Sequence, residues 1–449
     1  MILLKNAVIV TGVSAERGTL GIDGEIISGI WEEVPDIPGA EVIDLEGRVL
    51  MAGGIDAHVH FREPGMTWKA DIGSESAAAV LGGITSFIDM PNNSPAATTM
   101  EAIEWKLGRA KETSAANYGF HIGATNSNSA MIREYIESGK GERFGGIKVF
   151  MGSSTGNMLV DRSEALEDLF KIKGKTILIH SEDESIIKRN LADAKARYGS
   201  EIPFEAHPFI RSREACVKST AKALELAIKH GTRLHVLHVS TKEEAEMIRE
   251  AKRSNPGITA ETSANYLWFS DKDYSLMSGK LKCNPAVKSG ADREALIEAL
   301  KDGTIDTIGS DHAPHLKEEK DRPYLDCPSG LPTIQQSLPA VLTIASKVGI
   351  PLSRIASAFS EKAAEIFEIQ ERGFLRPGYK ADIVAINPAQ ELVVERPAYK
   401  CGWSPYEGCR FKGAIEKVWI NGSLVVSGCK PYIGTIQSRP QPLRFQPIG

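Results

Sequence analysis

The stretch Gly53-Gly54-Ile55-Asp56-Ala57-His58-Val59-His60-Phe61-Arg62-Glu63-Pro64-Gly65 sets how the rest of the chain is read. Residues 49–59 read as one buried strand, interrupted only by the glycine pair. Successive strand side chains alternate faces, so His58 and His60 project the same way, one pleat apart. Two imidazoles converging from a strand end can hold a metal ion, because neutral imidazole suits zinc and its neighbours. Arg62 follows in the loop that Pro64-Gly65 ends, which makes the site fit for an anionic substrate. An isolated pair of this kind is as readily two core histidines. The remainder of the chain has to decide between them.

Outward from that strand, apolar runs at 84–89, 118–124, 146–151, 176–180, 233–239, 258–262 and 305–311 read as further strands. Stretches 163–171, 182–198, 213–229, 242–253 and 292–300 read as helices between them. About eight β-then-α units in this length predict an α/β fold, a (β/α)8 TIM-type barrel over 51–375. A doubly wound open sheet is the structural alternative, but no GxGxxG follows the first strand. The two ends of the chain look different. Short strands flank an Asp23-Gly24 turn near the start and an Asn421-Gly422 turn near the finish, both strong hairpin signals. Neither end is large enough to hold a stable sheet alone. Residues 1–50 and 376–449 are therefore expected to fold together as one small β-sandwich domain.

Composition narrows the class. The 449 residues carry 53 Lys+Arg against 58 Asp+Glu, a net charge of -5. A mildly acidic, mixed surface points to no nucleic acid and no membrane as partner. No apolar run is long enough to span a bilayer, and Met1-Ile2-Leu3-Leu4-Lys5 opens no basic leader, so a cytoplasmic protein is expected. Six cysteines form no CxxC pair and are expected to be reduced and buried.

A barrel demands catalytic residues at the C-terminal ends of different strands. The first strand ends in His58 and His60, the second in Asp89-Met90-Pro91-Asn92, the fifth in His180, the sixth in His238 and the eighth in Asp311-His312. Four histidines and an aspartate at one edge are a candidate metal-ligand set. His121, His207, His230 and His235 lack this placement and read as structural or surface groups. The fourth strand carries Lys148, and an unpaired ammonium buried there is costly. A salt bridge, a depressed pKa or conversion to a carbamate by CO2 would each relieve that cost. The carbamate would also give two metals a bridging oxygen donor.

These residues resemble the dihydroorotases of the amidohydrolase superfamily, the larger bacterial type. The resemblance rests on 56–65, Gly82-Gly83-Ile84-Thr85, Met90-Pro91-Asn92, Lys148-Val149-Phe150-Met151, Ile179-His180-Ser181-Glu182, Leu237-His238-Val239-Ser240-Thr241, Gly309-Ser310-Asp311-His312-Ala313-Pro314-His315 and Arg376-Pro377-Gly378. It implies two Zn2+ per subunit: His58, His60 and Asp311 on one, His180 and His238 on the other, bridged by carboxylated Lys148. Relatives differ at the bridge, some supplying an aspartate instead. Here Asp161 lies well downstream, and no Asp stands between Lys148 and Asn157, so the lysine is assigned.

The same resemblance implies that Arg62, Asn92, Asn284 and His315 contact the substrate's carboxylate and ring. It implies Asp311 as the catalytic acid–base, and cyclisation of N-carbamoyl-L-aspartate to dihydroorotate as the reaction. A small-molecule substrate and a homodimer follow from it. Allantoinases and hydantoinases share the chemistry on rings without the carboxylate, and a non-catalytic scaffold of the same fold is the remaining alternative. The helix-free run 312–331, with charges at 317–322, reads as a solvated active-site loop or as a lid.

Overall fold

Eight short strands form the barrel of the computed structural model, which describes residues 1–152, 158–431 and 439–446. They are Gly54–Val59, Ile84–Asp89, Asn117–Phe120 continued by Ile122–Gly123, Ile147–Phe150, Ile177–His180, Leu234–Val236, Ile258–Thr262 and Thr307–Ile308. Nearly every residue in them is buried, as expected of parallel strands covered on both faces. Gly54–Val59 pairs with Ile84–Asp89, which pairs with Asn117–Phe120. From Ile122–Gly123 the parallel order runs through to Thr307–Ile308. The ring closes where Val59 bridges His312 and the His60 N–H donates to the His312 carbonyl at 2.8 Å. His121 interrupts the third strand, and its ring Nε2 meets the Ala57 carbonyl at 2.9 Å.

The helices fall where the sequence placed them. Ser163–Phe170, Glu184–Tyr198, Arg213–His230, Lys242–Ser254 and Gly290–Lys301 wrap the strands. Local signals set their ends: the Ser212 hydroxyl accepts from the Ala215 N–H at one end of Arg213–His230, and Gly231 at φ 59° stops the other.

Two expectations need correction. The run 49–59 is two strands, not one. Val49–Ala52 belongs to a second sheet, and only Gly54–Val59 enters the barrel. The glycine pair is the crossing point, and a Cβ on Gly54 would come within 2.4 Å of the Ile84 side chain. A division after residue 50 therefore cuts a strand. The run 312–331 is not free of helix either, since Lys317–Lys320 forms one turn.

The second sheet has nine strands and joins the chain's two ends. Val49–Ala52 sits between Ile2–Val10 on one side and Ile383–Val393 on the other. Leu20, Ile22 and Leu50 share a core with Ile383, Ala385 and Trp419, so N- and C-terminal strands enclose one apolar interior. The Asn421-Gly422 turn has positive φ at both residues, 48° and 77°, the twist that suits a two-residue hairpin. Residues 432–438 and 447–449 of the expected sandwich, and Gly156 and Asn157, lie outside the described residues.

All six cysteines are free; Cys216, Cys283, Cys327 and Cys401 are buried, and Cys409 and Cys429 are half-buried. Among the described residues no helix is long and apolar enough to cross a membrane.

Candidate active site

Each residue proposed from the sequence as a metal ligand or substrate contact reaches one cavity of about 480 Å³ at the C-terminal mouth of the barrel. His58, His60, Arg62, Asn92, Lys148, His180, His238, Asn284, Asp311 and His315 all line it. The alternation of the first strand aims His58 and His60 together, their rings 5.5 Å apart. Backbone strain gathers here. Arg62, His238 and Asp311 hold φ of 65°, 39° and 47°, a region that costs side-chain-bearing residues on the order of 1 kcal/mol or more each.

The tautomers follow from what the outer nitrogens meet. His58 Nδ1 lies 2.6 Å from Glu261 Oε1, and His60 Nδ1 lies 2.7 Å from Asn92 Oδ1. Both partners are acceptors, so each ring carries its proton on Nδ1 and leaves Nε2 bare. Those bare nitrogens stand 3.2 and 3.1 Å from the same Asp311 oxygen. Three lone pairs facing one point repel unless a cation lies among them, and the three donor atoms fall within 4.8 Å of one another. This donor set fits a metal ion.

A second pair converges beside it. His180 gives Nε2 to Glu182 Oε2 at 2.9 Å, which turns Nδ1 toward His238 Nε2, also 2.9 Å away. Glu182 is itself gripped by Arg211 at 2.6 and 3.1 Å. The His180 and His238 rings are 4.7 Å apart, and His238 is 5.3 Å from His58, so the two nitrogen sets adjoin. Burial pushes His58, His180 and His238 below the ordinary imidazole value, which keeps them neutral and able to ligate. Burial alone would raise Asp311, but His58, His60 and Lys148 hold its carboxyl below the usual range.

Lys148 lines the same cavity and is 1% exposed. Burial pushes its amine down to about 7, with Asp311 and Glu261 offsetting part of that. Among the described residues no carboxylate comes within 4 Å of it, and its Nζ sits 4.7 Å over the Phe150 ring. The alternative aspartate does not compete: Asp161 is exposed and accepts from Asn126 Nδ2 at 2.9 Å.

Arg62 also lines the cavity and is 5% exposed. Burial lowers it to about 10, so it remains a cation. Its Nε donates to the Pro314 carbonyl and its Nη2 lies 3.0 Å from His315 Nε2. Among the described residues no carboxylate pairs with it within 4 Å. Asn284 Oδ1, also at the wall, has no hydrogen-bond partner.

The other histidines have local work. His207 bridges Tyr324 and the Cys283 carbonyl, His230 pairs with Glu167, His235 meets Thr259, and His312 turns away to Glu75 at 2.7 Å. Sequence reasoning passed over Glu261 and Lys69. Glu261 stands one residue from the end of the seventh strand, Ile258–Thr262, and that placement was the available signal. A Cβ on Gly309 would strike its carboxylate at 2.2 Å, so the glycine makes its room. Lys69, in a loop after the exposed Trp68, offered none.

Comparison with known proteins agrees with this geometry. Residues 49–425 match the amidohydrolase family model. The chain belongs to the amidohydrolase family. Among curated relatives, a dihydroorotase of Methanosarcina acetivorans is 34% identical, covering 90% of this chain and 88% of its own. An allantoinase of Deinococcus radiodurans is 30% identical over 98% of both chains. Among solved structures, an L-hydantoinase (dihydropyrimidinase) of Arthrobacter aurescens superposes with TM-score 0.92 at 26% identity over 99% of each chain. That full-length match carries both the barrel and the β-domain of this family member.

Proposed function

We propose that this amidohydrolase is a zinc-dependent dihydroorotase, closing N-carbamoyl-L-aspartate to (S)-dihydroorotate and opening it again, a step of pyrimidine biosynthesis. One observation carries the choice: Arg62, buried at the cavity wall, has no carboxylate partner within 4 Å among the described residues. A buried unpaired guanidinium is costly, and a carboxylate on the substrate ring relieves the cost with bidentate geometry. Allantoin and hydantoin carry no such group, so they would leave Arg62 unpaired. Several relatives bearing the dihydroorotase name support the same reading.

His58, His60 and Asp311 would hold one zinc ion and His180 and His238 the other. Lys148, converted to its carbamate by CO2 with release of a proton, would stand between them, a reaction that needs the free amine that burial favours. Bound there, the ions supply acidification of a water at neutral pH and polarisation of the scissile carbonyl. Asp311 takes the attacking water's proton and delivers it to the departing ring nitrogen. Arg62 and His315 hold the ring carboxylate, with Asn92 and Asn284 aligning the ring from either side. Asn92 has a second task, since its Oδ1 fixes the His60 tautomer.

Replacing Arg62 by alanine tests the reading. Loss of one charged, buried contact predicts a drop in kcat/KM for dihydroorotate of at least about a hundredfold, with zinc content unchanged. An unaltered kcat/KM in that variant would overturn the substrate assignment.

A further inference from the structure

Lys69 enters the cavity wall beside Arg62 and His315 and is 7% exposed. Its Nζ lies 3.0 Å from His315 Nδ1 and 2.9 Å from Glu319 Oε1. An ammonium has only protons to offer, so Nδ1 must accept. Burial, together with the cations of Arg62, Lys320 and Lys69, pushes His315 well below the ordinary imidazole value, so the ring is neutral with one proton. That proton then sits on Nε2.

Nε2 lies 3.0 Å both from Arg62 Nη2, a second donor, and from the Ser329 carbonyl, which accepts the ring proton and leaves that guanidinium N–H without an acceptor at Nε2. Two donors thus crowd one corner of the cavity, where an anionic oxygen would accept from both. The opposite tautomer is close at hand. Glu319 Oε2 stands 3.7 Å from Nδ1, and with Lys69 gone this carboxylate would draw the ring proton to Nδ1. Nε2 would then present a lone pair to the incoming anion.

We infer that Lys69 is a positioning residue: it holds His315 in its Nε2–H form, so that His315 and Arg62 donate together to the carboxylate of the ring substrate. The inference rests on the carboxylate reading of Arg62 given above. Lys69 acts through His315, and Glu319 is the group it holds off.

The test uses the zinc-loaded enzyme and three variants: Lys69→Met, Lys69→Arg, and Lys69→Met combined with Glu319→Gln. Losing a donor to a charged group predicts that KM for dihydroorotate rises roughly tenfold to a hundredfold in Lys69→Met, with kcat moving less. Arginine at 69 should restore most of the loss. The double variant should recover part of it, because the competing carboxylate is gone. Nitrogen-15 spectra of histidine-labelled protein, with the His315 signal assigned by its absence in His315→Gln, should show the proton on Nε2 in the parent and on Nδ1 in Lys69→Met. An unchanged KM, or an unchanged His315 tautomer, in Lys69→Met would overturn the inference. If the parent enzyme does not turn over dihydroorotate, the functional reading fails, while the spectra still decide what Lys69 does to His315.

Discussion

His58 is held by Glu261 on Nδ1, which leaves its Nε2 lone pair facing the Asp311 oxygen. A carboxylate behind a ligating imidazole fixes its tautomer and raises its basicity. Glu261→Gln should therefore weaken zinc binding about 10- to 100-fold, read by competition against a chelator. Unchanged affinity would mean that Glu261 only fills space. Glu182 offers a second prediction, on stability. Burial would raise its pKa, but Arg211 and His180 hold it well below 4.5. A depressed carboxyl stabilises the fold at pH above its unfolded value, and the contribution is lost as pH falls through the folded one. Glu182→Gln should thus flatten the acid limb of the Tm–pH curve. At neutral pH it should cost about 3 kcal/mol, because Arg211 is left buried and unpaired. A parallel acid limb in the variant would contradict this. At this scale the sequence was legible wherever a motif or a strand end marked the residue, as with His58, His180 and Asp311. Glu261 stands near a strand end but in no motif, and Lys69 reads as one more surface charge.

Among the elements, the run 312–331 departs most from its reading. Its charges suggested solvent or a lid, yet Lys320 is 1% exposed and donates to the carbonyls of Lys282, Pro328 and Gly330. Lys282 in turn holds the Tyr324 and Cys327 carbonyls at 2.6 Å. Lys317, Glu318, Asp321 and Arg322 are exposed, as a solvated run would have them, while Lys320 is a pin that fixes Ser329 and Gly330 against the cavity. Lys320→Met would take a charged donor from three buried carbonyls, of which only that of Lys282 keeps a backbone donor, the Gly330 N–H, a local loss of about 3 kcal/mol. The segment should then be cut faster by protease, with little protection from added ligand in the parent. Strong ligand protection in the parent would restore the lid. The run 49–59 was misread for another reason: uniform burial in both sheets leaves the change of sheet at Gly53 invisible in hydrophobicity.

Across the whole molecule, the strand periodicity and the count of β-then-α units were enough to read the barrel, because parallel strands buried on both faces leave continuous apolar runs. The joining of the two chain ends was legible from the mirrored hairpin signals. The partners across that sheet were not, since pairing over hundreds of residues leaves no local trace. What the fold accomplishes is convergence: side chains from six of the eight strand ends meet over one cavity, with the Arg62 cation in its wall. Ring chemistry of the family is common to dihydroorotases, allantoinases and hydantoinases, so the account stands on which ring Arg62 selects. The direct measurement is kcat/KM of the zinc-loaded protein for dihydroorotate, allantoin and hydantoin side by side. The account predicts turnover of dihydroorotate at least about a hundredfold above the other two, the worth of one paired buried charge. Preference for either uncharged ring, with dihydroorotate untouched, would contradict it.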